Sequence, residues 1–272
     1  WCLSPLLVKV GESDWIAITS ACLDDFPGFY TCWRNGAIAT RLAPSPAEGE
    51  KGVKARFSER FDTAWRVVLL AENPGRFIES EWIRSLNPPC EIKDTSWIRP
   101  GVMAWDHWWS GEVKMEMSEI FRYVDFASRQ GWPYMLVDWK WYGEFNRADA
   151  DITKPAPQID IQRVIAYARE RNVRIFLWLY CTDATRNDAY ADAFALYEKW
   201  GVAGLKPGFV GYGSQKSTEF IRRMTEGAAR HHLWLDIHDA HIPDGFERTW
   251  PNVMITEGGG GEEGHHPVRQ DA

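Results

Sequence analysis

The stretch PQIDIQRVIAYARERNVRIFLWLY, residues 157–180, sets two hydrophobic patterns side by side. In its first part Ile161, Val164, Ile165 and Ala168 recur at intervals of three and four, which lines one face of an α-helix. From Ile175 to Tyr180 no charged residue interrupts the run. A run this short and continuous reads as a strand buried on both faces. A one-faced helix followed at once by such a strand is the repeating unit of a parallel α/β sheet.

The same grammar extends in both directions. Upstream lie GVMAWDHWW (101–109), MEMSEIFRYVDFASRQG (115–131) and PYMLVDW (133–139). The middle segment carries Ile120, Tyr123, Val124 and Ala127 on one helical face and ends at Gly131. Downstream lie DAYADAFALYEKWG (188–201), AGLKPGFV (203–210), TEFIRRMTEGAARHH (218–232), LWLDIHD (233–239) and NVMITEG (252–258). This predicts six strands, near residues 102–106, 134–139, 174–180, 203–209, 233–238 and 252–256. A (β/α)8 barrel has eight strands in about 250 residues. The pattern therefore reads as a (β/α)8-type TIM barrel, incomplete at its C-terminus. An open doubly wound sheet is the competing fold. No GxGxxG or GxxxxGK[ST] follows any strand, so the phosphate-binding signature of that fold is missing.

The first hundred residues follow a different rule. LLVKV, WIAIT, AIATRLA, VKARF and AWRVVLLAE are short runs rich in branched and aromatic side chains, separated by Gly, Pro, Asp and Asn. That is the pattern of a β-sandwich. LNPPCEIKDTSWIRPG (86–101) is proline-rich and without period, and reads as a linker. The expected organisation is a β-sandwich with its linker over 1–98 and the barrel over 99–272. Both ends read as cut, so the chain is expected to be part of something longer, with an open barrel edge prone to association.

Composition narrows the function. The net charge is −7 and no basic block occurs, which argues against nucleic acid as a partner. The five cysteines, Cys2, Cys22, Cys32, Cys90 and Cys181, form no CxxC, which argues against zinc and leaves at most two disulfides open. No apolar run reaches about 18 residues, so no membrane-spanning helix is expected. The 16 tryptophans fit a large core, and equally fit open faces that stack on the C–H side of a sugar ring.

In a barrel the chemistry gathers at the C-terminal ends of the strands. Those ends carry Trp105, Asp106, His107, Trp108 and Trp109; Asp138, Trp139, Lys140 and Trp141; Trp178, Tyr180, Cys181 and Asp183; Lys206 and Gly208; His238, Asp239 and His241; and Glu257, with Glu263 after four glycines. Singly, each has a plain reading. Asp106 and Asp183 fit helix caps, Trp139 and Trp141 fit core positions, and Lys140 fits the surface. Together they put acids, histidine and tryptophan at one end of at least five elements. Two carboxyl groups flanking a bond are what glycoside hydrolysis needs. Several carboxylate oxygens are what calcium needs.

DTSWIRPGVMAWDHWW, YVDFASRQGWPYMLVDW, YEKWGVAGLKPGFV, LDIHDAHIPDGFERTWPNVMITEG and the later Glu263 resemble glycoside hydrolase family 97. The resemblance extends over nearly the whole chain. It implies a β-sandwich followed by a (β/α)8 barrel, and a calcium-dependent, exo-acting α-glucosidase or α-galactosidase. It also implies an oligosaccharide or α-glycoside substrate and a periplasmic or secreted location in a Gram-negative bacterium. The family's retaining branch has an Asp nucleophile after strand four, in a K-x-D-F setting. Its inverting branch has Gly there and Glu after the strand-five His. LKPGFV puts Gly208 at the nucleophile's place and so resembles the inverting branch, while IHDAH puts Asp239 where that branch has Glu. By the resemblance Glu263 is the general acid and Asp239 the base. Asp239, Glu257 and Glu263 bind calcium, and Trp105, Asp138, Lys206 and His238 contact substrate. The branch's second base follows strand three in an H-H-E setting, where this chain reads WLYCTD.

Three functions remain in play: an inverting α-glucosidase, a retaining α-galactosidase on the same scaffold, and a carbohydrate-binding barrel without turnover. The strand-three departure and the Asp at position 239 in place of Glu favour the last. Glu257 and Glu263 favour an enzyme.

Overall fold

The computed structural model of the chain describes residues 2–49, 51–106, 114–211, 213–239 and 242–257. The N-terminal part holds β1 (Cys2–Leu3), β2 (Leu6–Val10), β3 (Asp14–Ala21), β4 (Phe29–Arg34), β5 (Ala37–Leu42) and β6 (Trp65–Ala71). They form two antiparallel sheets, ordered β1-β4-β5 and β2-β3-β6. Two one-turn helices follow, α1 (Gly75–Ile78) and α2 (Trp82–Ser85). All five cysteines are unpaired.

One expected strand does not form. VKARF, residues 53–57, joins no ladder. The Val53 N–H donates to Glu48 Oε2 at 2.8 Å, and Arg56 gives both its backbone groups to the side-chain amide of Gln215, at 2.8 and 2.9 Å. Local and long-range side chains thus take the groups that a strand would pair.

From residue 103 the order is β7 (Met103–Trp105), α3 (Met117–Gln130), β8 (Tyr134–Val137), α4 (Ile161–Arg169), β9 (Arg174–Tyr180), α5 (Cys181–Thr185), α6 (Ala189–Trp200), β10 (Gly204–Gly208), α7 (Gln215–Arg230), β11 (Trp234–Ile237) and β12 (Val253–Thr256). The six strands form one parallel sheet, β12-β11-β10-β9-β8-β7, each beside its predecessor in sequence. It curls as part of a TIM barrel, so a β-sandwich is followed by an incomplete (β/α)8 barrel. The strands lie where the sequence predicts them, within two residues at each end.

Helix α3 buries Ile120, Val124 and Ala127, and α4 buries Ile161, Val164, Ile165 and Ala168. These faces cover one side of the sheet. The other side is layered by the register. Trp105, Leu136, Phe176, Gly204 and Trp234 share one level. At Gly204 a Cβ would stand 2.3 Å from Phe176 and 2.4 Å from the Trp234 carbonyl. Only its absence lets the Phe176 and Trp234 rings meet, with centroids 4.0 Å apart. Since side chains alternate along a strand, Asp138, Trp178, Lys206 and Asp236 make the next level. Tyr180, Gly208 and His238 come above them, at the strands' C-terminal ends.

The two parts are tied together. Asp244, in the loop before β12, accepts from the Leu23 N–H at 2.8 Å, and Arg222 on α7 pairs with Asp25 at 2.7 Å.

Candidate functional site

The floor of the site is one buried network. Asp138 Oδ2 accepts from Trp105 Nε1 at 2.6 Å and from Lys206 Nζ at 3.1 Å, and its Oδ1 accepts from the Trp139 N–H at 2.8 Å. Lys206 Nζ also lies over the Trp105 ring, 4.1 Å from its centre. Lysine and aspartate are both buried. A pair like this survives burial when further polar contacts support it; here Asp138 accepts three hydrogen bonds and the Lys206 ammonium also faces the Trp105 ring. Asp236 lies in the same level, one strand beyond Lys206. Burial pushes its carboxyl up to about 6, against the pull of Lys206 and His238, with Glu257 and Asp138 adding to the rise. Asp236 did not figure among the sequence candidates. Its signal was an acid at the interior phase of an otherwise apolar strand.

The rim is a cluster of three. His238 Nδ1 stands 3.1 Å from Glu257 Oε2 and 3.7 Å from Asp239 Oδ1. The Asp239 N–H donates to Glu257 Oε2 at 3.1 Å, and the Phe209 N–H donates to Asp239 Oδ2. The neighbouring His238 holds the Asp239 carboxyl below its usual range, and the Phe209 N–H helps against the opposing effect of burial. Burial depresses the His238 imidazole, but contact with Asp239 and the charge of Glu257 leave it raised overall. One ligand atom from each of His238, Asp239 and Glu257 lies within 4.8 Å of the others. Two carboxylates turned to one point suit a hard cation such as calcium. His238 brings a nitrogen, which Glu257 already engages.

Three residues just past strand ends adopt the left-handed backbone: Lys140 at φ 66°, Phe209 at φ 59° and Asp239 at φ 66°. Such conformations cost energy in a non-glycine residue and concentrate at functional sites. Here they turn the Phe209 N–H onto Asp239 and leave the Phe209 ring half-exposed. That ring lies 5.1 Å from Tyr180 and 6.4 Å from Trp139, centre to centre, which gives the site an aromatic wall.

Gly208 stands between floor and rim. A Cβ there would come within 2.7 Å of Trp178 Nε1 and 3.6 Å of Asp239 Oδ2. Trp178 cannot give way easily. It is 1% exposed, and Trp139, Tyr142, Phe145, Tyr180 and Phe209 surround its ring.

Other sequence candidates are placed differently. Asp183 caps no helix, because the cap position of α5 is Tyr180. Its buried carboxylate accepts from Tyr142 O–H at 3.0 Å and the Asn146 N–H at 2.8 Å, and pairs with Arg186 at 3.1 Å. It anchors the loop after β8. Asp106 Oδ1 accepts from the Asp138 N–H at 3.3 Å, while the cap position of α3 is Glu116. Trp141 is core and donates to the Trp178 carbonyl at 2.7 Å. Lys140 is half-exposed and faces Glu144 at 3.8 Å. Burial pushes the Cys181 thiol up to about 12, so it is no nucleophile at neutral pH. Glu263, His107, Trp108, Trp109 and His241 lie outside the described residues.

Comparison with known proteins places these groups in a context. Residues 100–259 match the family model described as Glycoside hydrolase 97, and residues 2–89 match Glycosyl-hydrolase 97 N-terminal. A probable retaining alpha-galactosidase of Streptomyces bingchenggensis is 36% identical over 205 residues, which is 74% of this chain and 32% of that protein. A retaining alpha-galactosidase of Bacteroides thetaiotaomicron is 29% identical over 95% of this chain and 42% of its own length. A family 97 enzyme from a Pseudoalteromonas species, solved in complex with acarbose, superimposes with a TM-score of 0.83 at 26% identity. The superposition covers 95% of this chain and 44% of that one, and another complex of that enzyme holds panose. The chain thus spans less than half the length of each of these relatives.

Proposed function

The chain belongs to glycoside hydrolase family 97, and on that premise we propose that the protein is a calcium-dependent, exo-acting α-glucosidase that works with inversion. The observation that carries the reading is the pairing of Gly208 with Asp239. Position 208 offers no carboxylate to attack the anomeric carbon. Asp239 Oδ2 lies 3.6 Å from where a Cβ of residue 208 would stand, on a carboxylate held ionised. A carboxylate with space before it suits a base acting through water.

In this reading water attacks C1 from the side of Gly208 and passes a proton to Asp239, while the C1–O glycosidic bond breaks. Glu263, by the family resemblance, gives a proton to the departing oxygen. Trp105, Asp138 and Lys206 form the subsite floor, and His238 with the aromatic wall of Trp139, Tyr180 and Phe209 borders the sugar. Asp239, Glu257 and, again by resemblance, Glu263 would hold the calcium. A bound calcium supplies positive charge that offsets the clustered carboxylates.

The test is NMR of the first sugar released from an α-glucoside by the full-length enzyme. Initial β-product supports the proposal, and initial α-product overturns it. Loss of activity on chelation, restored by calcium, is expected alongside. A retaining α-galactosidase is the second reading, favoured by the names of the two curated relatives. It predicts faster turnover of an α-galactoside, with initial α-product.

A further inference from the structure

Trp178 has a polar atom that the network around it does not use. Among the described residues no group accepts from its indole N–H, while its ring is packed among aromatic neighbours. The ring is buried, but its nitrogen is not sealed from the site. A donor that water can reach is met by water when no protein group accepts from it. The nitrogen borders the space over Gly208, 2.7 Å from where a Cβ would stand, and Asp239 Oδ2 borders the same space at 3.6 Å. A donor and a carboxylate oxygen thus border one gap, which exists because residue 208 has no side chain.

We propose that Trp178 is the positioning residue for the attacking water: its indole N–H donates to the water oxygen while Asp239 accepts the water's proton. This rests on the inverting reading above. The arrangement gives the water two polar partners, enough to order it in a polar, roomy site. It also orients the water, since a donor on one side and an acceptor on the other leave the remaining lone pair free to attack. The atoms balance: the water oxygen bonds to C1, one of its protons goes to Asp239, and the indole keeps its own hydrogen throughout. Trp178 acts through the water and exchanges no proton.

The same indole has a second effect. The Trp178 ring is fixed on several sides by aromatic neighbours, so it bars any side chain from position 208. Gly208 and Trp178 are therefore one unit. A carboxylate cannot enter at 208 unless the indole is also changed.

The experiment uses the full-length enzyme with W178F, G208A and the double variant. W178F removes the N–H and keeps a buried aromatic ring. It should lower kcat by roughly 10- to 100-fold with KM changed by less than about 2-fold, because the water is misplaced and sugar binding is not. The loss should be the same on maltose and on α-glucosyl fluoride, whose leaving group needs no acid. G208A should lower the melting temperature in the wild-type background and lower it much less in the W178F background. Unchanged kcat in W178F, or a loss confined to KM, overturns the proposal. So does equal destabilisation by G208A in both backgrounds. The anomer measured on the unaltered enzyme keeps the questions apart. If it retains configuration, the parent reading has failed. If it inverts while W178F keeps its kcat, only the role of Trp178 has failed.

Discussion

Asp236 gives a sharp test of the electrostatics in the barrel. Its carboxyl, held at about 6 chiefly by burial, would titrate near 3.9 in an unfolded chain. The gap of about 2 units corresponds to about 3 kcal/mol. Here the folded value is the higher one, so between about pH 4 and pH 6 the folded state keeps a proton that the unfolded state gives up. Stability from this group therefore falls as pH rises through that window, and the full penalty applies above it. Asp236→Asn cannot ionise and escapes the penalty. Integrating between the two pKa values, the stability gained by the variant should be about 2 kcal/mol larger at pH 7.5 than at pH 4.5. Any constant cost of the amide is the same at both pH values and cancels. The assay is urea unfolding of the full-length enzyme followed by tryptophan fluorescence, with chelator present, since a nearby cation would favour the ionised form. A difference independent of pH, or one larger at pH 4.5, would refute the argument.

Further outcomes are expected from the same site. Lys206→Met should destabilise the barrel by about 3–5 kcal/mol, because Asp138 is left buried without its cation, and adding Asp138→Asn should return much of that loss in thermal unfolding. Asp183→Ala should free the loop that Tyr142 and Asn146 tether, read as faster limited proteolysis between residues 139 and 150, with no change in the anomer formed. Glu257→Gln should weaken calcium binding in calorimetry by about 10-fold or more, and an unchanged affinity would remove Glu257 from the ligand set.

The barrel was legible because its strands are short, largely apolar runs and its helices are apolar on one face only, two patterns that are distinct over lengths such as Ile161–Tyr180. The N-terminal sheets were less so. Their strands alternate imperfectly, and Val53–Phe57 has a strand's composition but spends its backbone groups on Glu48 and Gln215. At the site, strand-end position was enough to bring together His238, Asp239 and Glu257, and also Trp105, Asp138 and Lys206. Asp236 and the Trp178 N–H escaped notice because their roles depend on the register of three neighbouring strands, which no local pattern contains. Phe209 escaped because its exposure follows from a left-handed backbone angle. Asp183 looked like a cap because a carboxylate just after a strand usually is one. Its partners, Tyr142 and Asn146, come from a different loop.

The strand order of the barrel also bears on how the chain is made. From β7 to β12 every strand lies beside the one synthesised just before it. As the chain leaves the ribosome, each new strand meets a partner already in place, and the growing edge of the sheet advances with translation. The N-terminal sheets join consecutive strands in β2-β3 and β4-β5 but distant ones elsewhere. β1 waits for β4, and β3 gains its second partner only when β6, at residues 65–71, has emerged. Domains generally form from the N-terminus during synthesis. Here β3 must wait across residues 22–64 for β6, while the barrel behind it can be laid down strand by strand.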